Sequence, residues 1–226
     1  MLKAEHISKQ YRVKREIRPV LDDVSIIVGE QETVGIVGPS GCGKSTLARI
    51  ICGTVKMDAG ELTFAGTPLF GRSGKYDPAM RRKIQMIGQQ PFMAMDPLQK
   101  IGSVVMEPML QHKLGSKEFC RRRAEELLEM VWLDPKIMNS YPHELSGGMC
   151  QRVVIARALS LEPELLIADE STSMLDASAQ AQVIRLLYQL KNDRNLSILF
   201  ISHDMDLVDR FSDRVMYMRN HKLYSE

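Results

Sequence analysis

Eight consecutive residues, Gly38-Pro39-Ser40-Gly41-Cys42-Gly43-Lys44-Ser45, meet the Walker A pattern G-x-x-x-x-G-K-[ST] at every fixed position. The chemistry of such a loop is phosphate binding. Its glycines let backbone N–H groups turn inward around phosphate oxygens, and the N-terminus of the following helix adds partial positive charge. Lys44 is placed to reach the β and γ phosphates of a nucleotide, and the Ser45 hydroxyl to ligate Mg²⁺. The loop follows the β-branched run Thr33-Val34-Gly35-Ile36-Val37 and precedes a helix expected over residues 45–52. That is the strand–loop–helix setting the motif requires.

Two further groups lie downstream. The run Leu165-Leu166-Ile167-Ala168-Asp169-Glu170 is an apolar strand ending in two acids. Asp169 is placed to hold the Mg²⁺ shell and Glu170 to polarise an attacking water. Alone, such a strand is also an ordinary strand-to-loop transition; behind a Walker A loop it reads as Walker B. Leu145-Ser146-Gly147-Gly148-Met149-Cys150-Gln151-Arg152 is a short turn opening a helix expected over residues 149–159. Ser and Gly are common at any helix N-cap, so the turn is weak by itself. Just upstream of a Walker B strand, its helix N-terminus reads as a second phosphate-facing group.

The elements that must position these groups follow from the periodicity. Strands are expected near residues 2–8, 21–28, 33–37, 61–65 and 84–88, then 165–168, 197–201 and 214–218. Helices at 177–191 and 205–211 alternate with the later strands, which argues for a mostly parallel sheet with helices on both faces. Residues 91–159 are mostly helical in pattern. Within them, 116–131 places Phe119, Ala124, Leu127, Leu128 and Val131 on one apolar stripe. The expected fold is therefore α/β, a P-loop NTPase core of about residues 1–90 and 160–226, interrupted by a helical subdomain of about 91–159. The whole is expected to form a single nucleotide-binding domain.

Composition excludes several function classes. With 30 basic and 28 acidic residues and a net charge of +2, nothing marks a polyanion surface, and no nucleic-acid partner is expected. The triplet Arg81-Arg82-Lys83 reads as a solvated helix end. No apolar run approaches the roughly 20 residues that span a bilayer, and the first residues carry no apolar signal core, so export is not expected. Four cysteines, Cys42, Cys52, Cys120 and Cys150, are scattered without a C-x-x-C pair. A disulfide framework or zinc site is not expected, and a reducing cytosol fits. The fifteen methionines read as core fillers.

Together these motifs resemble the ATP-binding subunits of ABC transporters, and the resemblance covers nearly the whole chain. Leu145 to Arg152 is similar to the family's signature motif, with Met149 where glutamine is more usual. Asp176, in Ser173-Met174-Leu175-Asp176, resembles the D-loop. His203, in Ile201-Ser202-His203-Asp204, resembles the switch histidine that contacts the γ-phosphate. Gln89, in Ile87-Gly88-Gln89-Gln90-Pro91, resembles the Q-loop glutamine, with Pro91 favouring it over Gln90. Tyr11 sits where an aromatic residue stacks on adenine. The resemblance thus implies ATP and Mg²⁺ as ligands. Nucleotide contacts would come from Tyr11, Gly38, Pro39, Ser40, Gly41, Cys42, Gly43, Lys44, Ser45, Thr46, Ser146, Gly147, Gly148 and Asp176. Metal contacts would come from Ser45, Gln89 and Asp169, and catalytic groups from Glu170, His203 and Gln89.

Two stretches, Tyr141 to Met149 and Ser173 to Ile184, look more specifically like importers of oligopeptides and nickel, and residues 214–221 are similar to the second ATPase of two-ATPase importers. Departures are Gln90, where that group often has aspartate, Ser171, where proline usually follows the glutamate, and an end soon after the last strand, without the extension many peptide-importer ATPases carry. The implied partners are transmembrane permease subunits, a second ABC ATPase subunit (identical or different), and an extracytoplasmic substrate-binding protein. The implied location is the cytoplasmic face of the membrane, held by the permease. Cargo class stays open among oligopeptides, nickel and a related metal chelate. The alternatives are an ABC ATPase of a soluble complex, such as one for carbon–phosphorus bond cleavage, and a nucleotide-sensing subunit without catalysis. DNA-repair types would need a long coiled coil and translation types two motif sets, and the chain shows neither.

Overall fold

The structure is a computed structural model and describes residues 1–13, 16–71 and 73–225. Strands β1 (Leu2–Val13), β2 (Glu16–Val28) and β3 (Thr33–Val37) lead into helix α1 (Lys44–Ile51). Then come β4 (Ala59–Phe64), β5 (Thr67–Pro68), α2 (Met80–Lys83) and β6 (Ile84–Ile87). Helices α3 (Ile101–Gln111), α4 (Lys117–Met130) and α5 (Gly147–Leu159) follow. The chain continues through β7 (Leu165–Asp169), α6 (Ala177–Arg194), β8 (Ser197–Ser202), α7 (Met205–Phe211), β9 (Arg214–Arg219) and β10 (Lys222–Ser225).

The chain divides into two compact units. The first comprises Met1–Met86, Glu164–Glu170 and the stretch from Leu190 onward. Its main sheet has the order β10-β9-β3-β8-β7-β6. β3 pairs in parallel with both β8 and β9, and β7 in parallel with β8. All residues of β3, β7 and β8 are buried. Continuous burial explains why they read as apolar runs rather than alternations. Ile36, Leu165, Ile167, Leu199 and Ile201 of these strands share one core with Leu47, Ile50 and Ile51 of α1.

The parallel core agrees with the sequence expectation; the opening strands depart from it. β1, β2, β4 and β5 form a separate four-stranded sheet, order β2-β1-β4-β5, and every pairing in it is antiparallel. Strands joined by so short a connection as β1 and β2 can only return antiparallel. Both strands also run beyond the stretches expected from sequence, because their added residues mix polar with apolar types, are mostly exposed and give no sustained apolar pattern. β10 escaped notice for the same reason and pairs antiparallel with β9.

The second unit comprises Ile87–Pro163 and Ser171–Gln189. Here α3, α4 and α5 pack on one another, burying Val105, Met109, Leu127, Leu128, Val153 and Ile155. α4 forms where the apolar period predicts and buries Ala124, Leu127 and Leu128. Phe119 of the expected stripe stays exposed in its first turn, where the Ser116 hydroxyl accepts from Phe119 N–H as the N-cap. Among the described residues no helix is long and apolar enough to cross a membrane.

Leu199 is fully buried at the centre of the parallel sheet. Leu199→Ala is expected to destabilise the fold by about 2–5 kcal/mol, read as a lowered urea midpoint. An unchanged midpoint would contradict the packing described.

Candidate functional site

The phosphate-type loop is built from the C-terminal end of β3. Gly43 serves as N-cap of α1 with φ 116°, and no side chain caps the helix. A side chain is excluded twice over at this position, by the left-handed backbone and because a Cβ would lie 2.4 Å from the Val20 carbonyl oxygen. A helix that starts without a side-chain cap keeps its first N–H groups available to an anion. Lys44 is 95% buried, being 5% exposed. Its ammonium donates to the carbonyls of Gly38 at 2.7 Å and Pro39 at 3.0 Å, which holds it inside the loop that would bind phosphate. The Cys42 sulfur lies 3.9 Å from it. Pro39, Ser40 and Gly41 are exposed at the loop tip, while Ser45 and Thr46 are half-buried in the first turn.

β7 delivers the acids. Asp169 is buried, and the Ser45 hydroxyl donates to its Oδ1 at 3.1 Å. Burial pushes the Asp169 carboxyl above the usual carboxylate range, and the nearby Glu170 charge adds to the effect, against the Ser45 hydrogen bond. A hydroxyl and a carboxylate so close are a hard-oxygen pair suited to Mg²⁺, whose charge would keep that buried carboxylate ionised. Glu170 adopts φ 53°, a left-handed conformation uncommon outside glycine. Its N–H donates to the Ile201 carbonyl, anchoring the turn to β8. The carboxylate accepts from His203 Nδ1 at 2.7 Å, which places the imidazole proton on Nδ1. The histidine side chain is 58% exposed and the glutamate 16%, so the pair is solvated on the histidine side.

The first unit therefore brings Ser45 to Asp169, and Glu170 to His203. Tyr11 lies on β1 in the same unit, partly exposed, with the Lys9 ammonium 5.3 Å from its ring centroid. Burial first and then the Asp169 charge push the Cys52 thiol up to about 12. All four cysteines are free.

The remaining residues singled out from sequence lie in the second unit. Gln89 is exposed in the bend after β6. Ser146 caps α5, its hydroxyl accepting from Met149 N–H at 3.3 Å. The helix begins at Gly147, two residues before the expected start, because both glycines are wound into its first turn. A Cβ on Gly148 would lie 2.9 Å from the Ala179 Cβ, so glycine lets the signature turn approach the start of α6. Asp176 caps that start, its Oδ1 accepting from Ala179 N–H at 2.9 Å. The turn at Ser146–Gly148 and Asp176 are thus brought together within one unit.

Sequence reading passed over two arginines of α5. Arg152 donates to the Trp132 carbonyl at 2.9 Å and to Gly148 O at 3.3 Å. Arg157 donates to the Ala94 carbonyl and to Glu107. The available signal was one cation, Arg157, within an otherwise apolar helical run, Val153 to Leu159, and another, Arg152, just before it.

A family model described as ABC transporter matches residues 21–173. The oligopeptide transport ATP-binding protein OppF of Escherichia coli K12 is 46% identical over 199 residues, 88% of this chain and 60% of its own length. OppF of Bacillus subtilis 168 is 41% identical over 225 residues, 99% of this chain and 74% of its own length. The chain spans about three fifths of the length of the first of these curated relatives. Among solved structures, the dimeric post-hydrolysis form of the ATP-binding cassette MJ0796 bound to ADP and Pi superposes with a TM-score of 0.87 at 32% identity. That match covers 100% of this chain and 98% of that one.

Asp169 carries a pH signature. A raised carboxyl pKa gives the fold a contribution that is complete below the ordinary value of about 3.9 and is lost as pH rises through the raised one. Asparagine, which stays neutral, escapes that loss. Without Mg²⁺, the melting temperature of Asp169→Asn relative to the unaltered chain is expected to rise with pH from about 4 and then level off. Added Mg²⁺ should shrink the gap. A falling difference would contradict the buried-carboxylate assignment.

Proposed function

The chain belongs to the ABC transporter family, and from that membership we propose that it is the ATP-binding and ATP-hydrolysing subunit of an importer of oligopeptides. Its fold is that of the ATP-binding cassettes. The observation that carries the catalytic reading is the Glu170–His203 pair beside the Ser45–Asp169 pair at the ends of adjacent strands. A nucleotide-sensing subunit without catalysis would have no need of the first pair. Support for an oligopeptide cargo is the similarity to relatives that are oligopeptide transport ATP-binding proteins; recognition of that cargo would fall to other subunits.

ATP is the substrate. The amides at the start of α1 and the Lys44 ammonium bind and orient its phosphates, Lys44 exchanging carbonyl partners for phosphate oxygens of higher charge. Ser45 and Asp169 would hold Mg²⁺, and Gln89 is proposed as a further ligand. Bound there, Mg²⁺ would supply neutralisation of charge on the phosphate oxygens. Glu170 takes the proton of a water whose oxygen attacks the γ-phosphorus. The bond from that phosphorus to the bridging oxygen of ADP breaks, leaving ADP and inorganic phosphate. His203, bonded to Glu170, keeps that carboxylate turned toward one position. Tyr11 stacks on the adenine. Ser146, Gly147, Gly148 and Asp176 act on the nucleotide of a second ATPase subunit, so that two chains enclose two ATP molecules. The exposed segment Phe92 to Pro97 docks on permease subunits, which hold the chain at the cytoplasmic face of the membrane. An extracytoplasmic binding protein delivers the cargo.

Two variants test the assignment. Lys44→Ala is expected to lose turnover by about 10²–10³-fold, and undiminished ATPase activity would remove Lys44 from the phosphate site. Glu170→Gln should bind Mg-ATP normally yet turn over about 10²–10⁴-fold more slowly. A normal rate would take the base role away from Glu170.

A further inference from the structure

Helix α5 carries the proposed nucleotide-facing group at one end. Ser146 caps it, and Gly147 and Gly148 form its first turn. Toward the other end, Arg157 reaches out to two places at once. Its Nη1 donates to the Ala94 carbonyl at 2.9 Å and its Nη2 to Glu107 Oε2 of α3 at 2.7 Å. Ala94 closes the 3₁₀ turn Pro91–Ala94. That turn presents Phe92 and Met93, 49% and 81% exposed. Its own bonds, Met93 N–H to Gln90 O and Met95 N–H to Phe92 O, are local and do not tie it to a helix. Arg157 does. The planar fork suits this double duty, one nitrogen for a carbonyl and the other for a carboxylate, where a lysine would serve as a single point charge.

From Ser146 to Arg157, at about 1.5 Å per residue, the helix spans about 16 Å. Its hydrogen-bonded backbone makes it a rigid strut, and Arg152 braces the near end against the Trp132 carbonyl. A push at the Ser146 end is therefore felt wherever Arg157 holds on.

We propose that Arg157 is the positioning residue that fixes the exposed Phe92–Met93 turn to the signature helix, so that nucleotide engagement at Ser146 displaces turn and helix as one body. The inference rests on the ATPase reading above and deepens it. Arg157 touches no nucleotide; it sets where the outward-facing turn sits.

The test uses the full chain carrying Glu170→Gln, which retains ATP, with Arg157 intact or changed to Met or Lys. Amide hydrogen exchange is followed with and without Mg-ATP, alongside Mg-ATP affinity. With Arg157 intact, Mg-ATP should change exchange at the Met93 and Met95 amides. In Arg157→Met those amides should exchange on the order of tenfold faster, the loss expected for a charge-assisted bond, and should no longer respond to Mg-ATP. Affinity and α4 exchange should stay as in the parent. Arg157→Lys should restore part of the response. A turn that still follows Mg-ATP in Arg157→Met overturns the proposal. So does faster exchange spread evenly through α3, α4 and α5, which would make Arg157 a general packing residue. Mg-ATP that binds the parent without changing the turn also overturns it. A parent that binds no Mg-ATP instead refutes the nucleotide reading, and the proposal falls with it.

Discussion

A buried lysine ammonium must be surrounded by oxygens, and the chain meets that demand at Lys44 by curling the glycine-rich loop back over it. The loop can curl only because Gly43 adopts a left-handed backbone under the Val20 carbonyl. It is held at a fixed height because β3 is buried along its whole length and paired on both sides. The rest of the first unit serves this arrangement. α1 packs its Leu47, Ile50 and Ile51 into the core beneath the parallel strands, which aims its uncapped N-terminus at the loop.

Register does the next part of the work. β7 and β8 lie side by side in parallel, with Asp169 opposite Ile201. The residues just past those strand ends are Glu170 and, after Ser202, His203. Two groups far apart in sequence thus meet at the carboxyl end of the sheet, where ligand sites of open parallel sheets are found. The left-handed φ of Glu170 is a local strain that the hydrogen bond to Ile201 helps to hold, and it turns the carboxylate toward the histidine. A carboxylate buried as deeply as Asp169 has a cost of its own, which a bound divalent cation would relieve. Stability and metal affinity are therefore set against one another at that residue.

How much of this could be read beforehand depended on how local the signal was. The Walker A loop, both acids and the Ser-Gly-Gly turn announce themselves in contiguous residues, and the structure sets them at a strand end or a helix start. The parallel core was legible because strands buried on both faces are unbroken apolar runs. The antiparallel sheet was not, since β1 and β2 extend through mostly exposed residues of mixed polarity, whose pairing lies between the strands and leaves no pattern within either one. The Glu170–His203 bond could not be read from spacing, because only strand order makes neighbours of residues 170 and 203. Nor could the partners of Arg157, which lie in a turn and on a helix well upstream. Motifs are local; tethers and registers are not.

The central claim is that this loop and these acids form one Mg-ATP site, completed by the signature turn of a second chain. Nucleotide uptake and solution mass, measured on the same sample of the Glu170→Gln chain, test it most directly. The account predicts one Mg-ATP retained per chain together with a doubling of mass. A chain that takes up no nucleotide and keeps its mass would contradict it.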